Sequence, residues 1–173
     1  MTTAEPKLRP IGPEDLPFLR RLYAAGRAAE MARSGWPDDA IAGFLAQQFE
    51  LQHRYYQTHY ADGEFLLVEL DGRPVGRLYL YWGRSALQLI DIALLPEQRG
   101  HGLGATLLTA LLARADAQGL AVGLYVEGDN PARHWYLRQG FAVSGENGVY
   151  LQMQRLARPL LAASQPPIAQ RST

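Results

Sequence analysis

The spacing of hydrophobic positions changes several times along the chain, and each change marks an element. Leu8-Arg9-Pro10-Ile11 has the character of a short strand, and Pro10, which lacks an amide donor, suits only a sheet edge. Gly12-Pro13-Glu14-Asp15 opens a helix: proline fits the first turn and the two acids face the positive end of the helix dipole. Leu16, Phe18, Leu19, Leu22 and Tyr23 supply its apolar face. Ser34-Gly35-Trp36-Pro37 breaks the pattern, and a second, long helix runs over residues 38–59 with Ile41, Phe44, Leu45 and Phe49 as its stripe. Strands follow over 64–70 and 74–82, separated by Asp71-Gly72, a strong hairpin signal. A third strand over 86–95 follows the turn Gly83-Arg84-Ser85, so the three form an antiparallel meander.

The helical period then returns. Residues 102–118 carry apolar side chains at 103, 107, 108, 111, 112 and 115, and Gly119 closes the helix. A strand over 120–126 precedes Asn130-Pro131, an N-cap followed by proline, and a short helix over 131–139 that stops at Gly140. Residues 141–144 and 149–154 make a closing hairpin. The order β-α-α-β-β-β-α-β-α-β-β predicts an α+β domain with one mixed, mostly antiparallel sheet of seven strands and four helices. A single domain is expected over residues 1–156, with residues 157–173, which contain Pro159, Pro166 and Pro167, as a flexible tail.

Composition narrows the function. The chain has 173 residues, 47% hydrophobic and 20% charged, enough for one well-buried core. Seventeen Lys and Arg balance seventeen Asp and Glu, which argues against nucleic acid or a membrane surface as a partner. With no cysteine, thiolate catalysis and Cys-based metal sites are excluded, and no His/Asp/Glu spacing suggests a metal. The N-terminus lacks the pattern of a signal peptide, and no apolar stretch approaches the length of a membrane span, so a cytoplasmic protein is expected.

The informative stretch is Leu94-Leu95-Pro96-Glu97-Gln98-Arg99-Gly100-His101-Gly102-Leu103-Gly104-Ala105. Three alternating glycines between a strand and a helix allow sharp turns and close backbone approach, and the helix amides behind them suit a phosphate. A loop that merely needs left-handed residues would require fewer. No Gly-Lys-Ser/Thr follows, so this is not a Walker A loop. Gly100-x-Gly102-x-x-Ala105 also fits a dinucleotide fingerprint, with Glu127 ending the next strand. However, four residues separate the strand from the first glycine, and only one parallel crossover is on offer.

Arg99-Gly100-His101-Gly102-Leu103-Gly104 resembles the Arg/Gln-x-x-Gly-x-Gly/Ala motif of the GNAT family of N-acetyltransferases. Ile92-Ala93-Leu94-Leu95-Pro96 is similar to that family's fourth strand. The segment from Asn130 through Tyr136 to Gly140-Phe141 resembles its second motif. The resemblance covers residues 8–154 and implies a GNAT-like fold with acetyl-CoA as co-substrate and no metal. It places the pyrophosphate on Arg99, Gly100, Gly102, Leu103, Gly104 and Ala105, and the pantetheine arm beside Ala93, Leu94 and Asn130. It gives Leu94 the amide that stabilises a developing oxyanion, and Tyr136 the role of general acid. A phenol with a reference pKa of about 10 is protonated at neutral pH, which suits that task.

The general base is left open. Asp91 is the nearest candidate, with Glu64 and Glu127 behind it, each also readable as a solvated or paired carboxylate. His101 and His134 lie near the motifs, and Arg114, Arg133 and Arg138 could meet the coenzyme's ribose phosphate or simply face solvent. The acceptor site is expected between the first two helices, the connection 31–36 and the hairpin 143–149, lined by Trp36, Gln48, Gln52, Tyr56 and Tyr81. Gln48 and Gln52 interrupt an aromatic line at spacing four, so they either grade into solvent or form a polar ledge in a cleft. The partner is a small-molecule or peptide amine, a homodimer is compatible with exposed strands, and neither nucleic acid nor membrane is expected. Two other readings remain at this point: a catalytically silent coenzyme-binding module, and a dinucleotide-binding oxidoreductase.

Overall fold

The computed structural model describes residues 4–159. The elements are β1 (Lys7–Pro10), α1 (Leu16–Ala32), α2 (Asp38–His59), β2 (Glu64–Leu70), β3 (Arg73–Trp82), β4 (Ala86–Leu94), α3 (Leu103–Ala117), β5 (Ala121–Glu127), α4 (Ala132–Arg138), β6 (Ala142–Asn147) and β7 (Tyr150–Arg155). The seven strands form one sheet in the order β1-β2-β3-β4-β5-β7-β6. Every neighbouring pair is antiparallel except β4 and β5. Pro10 ends the edge strand β1, where its missing donor costs no ladder bond. Asp71 and Gly72 both adopt left-handed φ, 51° and 75°, as the two-residue turn between β2 and β3 requires. The sheet has a single parallel pair, not the doubly wound parallel architecture of a dinucleotide-binding domain.

Strand periodicity divides the side chains between two cores. On one face, Leu66, Val68, Leu78, Leu80, Leu87 and Leu89 pack with α3 residues Leu107, Leu108, Leu111 and Leu112 and with Tyr136 and Phe141. On the other, Leu67 meets Phe18, Leu19 and Leu22 of α1 and Phe49 of α2. Each leucine fully buried in this way contributes on the order of 2 kcal/mol. The β5-β7-β6 half of the sheet has α3 and α4 on one side only. Its opposite face leaves Tyr125 and Tyr150 roughly half exposed, at 47% and 44%.

Element bounds follow the sequence pattern closely, with two local differences. The strand expected at 141–144 instead occupies Ala142–Asn147, which moves the turn to Gly148 (φ 62°). It contains a bulge between Val143 and Gly145, and Phe141 is drawn out of the strand into the core behind α4. The short helix begins at Ala132, and Asn130 caps it as expected, its Oδ1 accepting from the Ala132 amide at 2.9 Å. The tail from residue 160 lies outside the described residues. Before it, the Arg158 amide donates to Asp116 Oδ1 at 2.9 Å, and Arg155 forms a buried two-armed pair with the same carboxylate. That pair holds the Asp116 carboxyl below the usual carboxylate range.

Candidate active site

The site begins with an irregularity in β4. Tyr79 opposes Asp91, but Leu80 opposes Leu89, so Ile90 is an extra residue. A bulge of this kind bends its strand and resets the alternation of faces. Leu89 and Ile92 therefore both lie toward the α3 core, while Ala93 and Leu95 pack against the α1–α2 core. Pairing between β4 and β5 covers only Ala86–Ala121, Leu87–Val122 and Gln88–Gly123, and ceases where the bulge begins. Beyond it the strands separate. β5 stays paired to β7 as far as Glu127, so its other edge faces the gap.

The ladder fixes which β4 groups point into that gap. Leu95 donates to the Val75 carbonyl at 2.9 Å, which makes Gly76 and Leu94 a non-hydrogen-bonded pair. The N–H and C=O of Leu94, and by the same alternation those of Ile92, point away from β3 and toward the gap. The resemblance implied backbone pairing through Ala93 and Leu94. The Leu94 backbone faces the gap, whereas Ala93 turns its amide to Arg77 on β3, and the other residue whose backbone faces the gap is Ile92.

At the open end of the gap lies the glycine loop. Gly100 and Gly102 have φ of 77° and 82°, values that place successive amides on one side and that a residue with a Cβ rarely adopts. Thr106 is the first α3 residue to donate within the helix, to Gly102 O at 3.0 Å. The amides of Leu103, Gly104 and Ala105 therefore point outward from the helix N-terminus. A Cβ at Gly104 would come no closer than 3.8 Å to Leu94 or Trp135, so this position has room for alanine. Arg99 is exposed and folds back, its Nε donating to the Leu94 carbonyl at 3.3 Å.

A cavity of about 560 Å³ fills the gap, and Asp91, Ile92, Glu127, Asn130 and Tyr136 line it together with Arg27, Gln52 and Tyr56. Tyr136 is buried, wedged edge-on against Phe141 with ring centroids 5.6 Å apart. Burial, with Asp91 nearby as a lesser cause, pushes its phenol well above the usual value. The same two causes act on Tyr56, partly offset by Arg77. Asp91 is not a free carboxylate: its Oδ2 accepts from Arg77 Nε at 2.6 Å. Arg77 is almost fully buried, lies 4.6 Å over the Tyr79 ring, and donates through Nη2 to Gln52 Oε1 at 2.8 Å. Gln52 thus finds its partner in the sheet rather than in solvent.

A second cavity of about 770 Å³ adjoins the first, sharing Arg27, Gln52, Tyr56, Ile90, Tyr125 and Tyr150 with it. Seven of the chain's nine tyrosines line it. Tyr23 comes from α1, Tyr55 and Tyr56 from α2, and Tyr60 from just beyond it. Tyr81, Tyr125 and Tyr150 come from β3, β5 and β7. Gln48 lines it as well.

Of the expected acceptor residues, Gln48, Gln52, Tyr56 and Tyr81 converge here and Trp36 does not. It lies in the α1–α2 connection, 49% exposed and edge-on to Phe44. That connection contributes Arg33 to the gap instead. Glu64 sits on the α3 side of the sheet, 3.6 Å from Arg114, which itself lies over the Trp82 ring, so neither faces the gap. His101, His134 and Arg138 are exposed and Arg133 is half-buried. Sequence reasoning missed Arg77, although its signal was present: in Arg77-Leu78-Tyr79-Leu80-Tyr81 strand parity puts the arginine on the same face as both tyrosines.

Among the described residues no group of His, Asp and Glu is arranged to hold a metal ion, and no helix is long and apolar enough to cross a membrane. The sequence profile of the Acetyltransferase (GNAT) family matches residues 28–141. Among solved structures, the PaiA N-acetyltransferase of Thermoplasma acidophilum in complex with coenzyme A aligns with a TM-score of 0.66 at 20% identity, covering 88% of this chain and 99% of that one. An acetyltransferase from Thermus thermophilus aligns at 0.65 with 23% identity, covering 90% and 99%. A chimera of the Vibrio cholerae spermidine N-acetyltransferase SpeG and hSSAT aligns at 0.60 with 22% identity, covering 88% and 95%. No curated protein matches the sequence significantly. The family profile spans most of the chain and includes both motifs, and the fold is shared with these structures: the protein belongs to the GNAT family of acetyltransferases.

Proposed function

We propose that the protein transfers an acetyl group from acetyl-CoA to a primary amine, by direct attack in a ternary complex held in the gap between β4 and β5. The observation that carries this reading is the end of β4–β5 pairing at Gln88 and Gly123. It leaves the Leu94 amide directed away from β3 toward the gap whose cavity Tyr136 lines, with the outward-pointing amides of Leu103, Gly104 and Ala105 at the start of α3 just beyond the end of β4. These residues fit coenzyme A: a phosphate-binding loop, an unpaired strand edge for an extended arm, and a cleft. The similar Thermoplasma structure contains coenzyme A, and the SpeG chimera is a spermidine N-acetyltransferase, which supports the coenzyme and the amine in turn.

When bound, acetyl-CoA supplies an acyl group already activated as a thioester, so the chain need provide no nucleophile. The amides from Gly100 to Ala105 bind the pyrophosphate at the N-terminus of α3. The edge groups of Ile92 and Leu94 align the arm, and Leu94 N–H donates to the oxygen on which negative charge develops. Tyr136 holds a proton at its hydroxyl for the departing sulfur. Asp91, held by Arg77 through Oδ2 and lining the cavity, receives the amine's proton directly or through water. Holding both reactants in line removes much of the entropic barrier.

Incubating the protein with acetyl-CoA and a panel of primary amines, and reading free thiol, tests the proposal. Amine-dependent thiol release above the amine-free rate is expected. Acetyl-CoA binding with no thiol release for any amine would favour the catalytically silent reading.

A further inference from the structure

Deepening the transferase reading, on which it rests, we infer that the acceptor is an arylalkylamine: a primary amine on a short alkyl linker to an uncharged aromatic ring. The larger cavity opens into the reaction gap through Tyr56, Tyr125 and Tyr150, so a molecule seated in it presents one end to Asp91 and Tyr136. Its walls are aromatic on several sides. Tyr60 and Tyr81 lie with centroids 5.5 Å apart, and Tyr55 stacks on His59 at 5.0 Å. Its volume of about 770 Å³ suits a ring-bearing small molecule.

The charge of the lining decides between acceptors. Among the described residues, no carboxylate lines the larger cavity, and its one guanidinium belongs to Arg27. Arg27 is already engaged, donating to Glu30 Oε2 at 2.9 Å and to the Tyr23 hydroxyl at 3.0 Å. A polyamine threading its remaining ammonium groups into this cavity would lose their hydration without meeting an opposite charge. The carboxylates Glu30, Asp91, Glu127 and Asp129 all line the gap, where one ammonium must arrive and lose a proton, and none of them lines the larger cavity. A flat ring gains edge-to-face and offset contacts from the tyrosines. Gln48, Gln88 and Asn147 offer hydrogen bonds to a ring hydroxyl or ring N–H. The net reaction forms one N–C bond and breaks one C–S bond. The ammonium's extra proton passes to solvent, and free thiol is released.

The test compares 2-phenylethylamine and tyramine with hexylamine and spermidine on the full-length protein, reading thiol release and product mass. The aromatic amines are expected to exceed both others in kcat/KM by roughly tenfold or more. Tyr55→Ala and Tyr60→Ala, at positions that line the larger cavity and not the gap, are expected to raise KM for 2-phenylethylamine roughly tenfold while KM for acetyl-CoA stays unchanged. Spermidine or hexylamine used as well as the aromatic amines would overturn this inference and leave the transferase reading intact. So would tyrosine variants that affect all amines equally. Failure of acetyl-CoA to bind at all, read by calorimetry in the same preparation, would overturn both.

Discussion

Tyr136→Phe is expected to lower kcat by roughly 100-fold with little change in KM for acetyl-CoA, measured by thiol release under saturating amine. The substitution keeps the ring that packs against Phe141 and Trp135 and removes only the hydroxyl facing the gap. Folding should therefore be preserved, and the loss confined to the step in which sulfur takes a proton. The pH profile carries the same information. Burial raises the Tyr136 phenol above its ordinary value, so the hydroxyl remains protonated throughout the range in which the acceptor ammonium deprotonates. In the wild type, kcat/KM for the amine should climb from neutral pH by up to about tenfold per unit and level off near pH 10, with no fall in that range from phenol ionisation. Unchanged kcat in Tyr136→Phe would remove the hydroxyl from the mechanism.

Arg77→Met is expected to destabilise the protein by about 3 kcal/mol, read as a fall in Tm of roughly 6–12 °C. The Arg77 side chain is 5% exposed and Asp91 28%, so removing the guanidinium leaves a largely buried carboxylate without its partner. It also leaves Gln52 Oε1 without its donor and removes this hydrogen bond between α2 and β3. Adding Asp91→Asn should recover a large part of the loss, because the stranded charge disappears. The single variant should in addition lower kcat/KM for the amine, since Asp91 is no longer oriented. A double variant no more stable than Arg77→Met would show that the cost lies in lost packing rather than in the unpaired charge.

The sequence made the element order legible because each helix and strand here has a clean period, and because Asp71-Gly72, Gly119 and Asn130-Pro131 punctuate it. The two glycine-containing motifs lie on the segments that flank the gap, the loop before α3 and the helix α4 that follows β5. The rest depended on facts that no local pattern carries. The bulge at Ile90 reverses side-chain parity within one apolar run, and apolar runs do not display parity. Exchanging Ala93 for Ile92 at the strand edge follows from that ladder register alone. Trp36 was expected in the cleft because the connection 31–36 was expected to build it, yet Trp36 packs edge-on against Phe44 near the start of α2. Tyr125 and Tyr150 sit on β5 and β7, and nothing local to either strand brings them to a common site. They became cavity walls because α2 ends opposite them.

The central claim is that the β4–β5 gap and its glycine loop bind acetyl-CoA, and calorimetric titration tests it most directly. Acetyl-CoA is expected to bind the wild-type protein with a micromolar Kd, and Gly102→Glu is expected to weaken it by roughly 100-fold. That substitution forces a side chain onto a residue with φ of 82° and adds a negative charge where phosphate must sit. NADP, titrated as the control, should show no binding. Absence of acetyl-CoA binding at millimolar ligand, or binding of NADP in its place, would contradict the account.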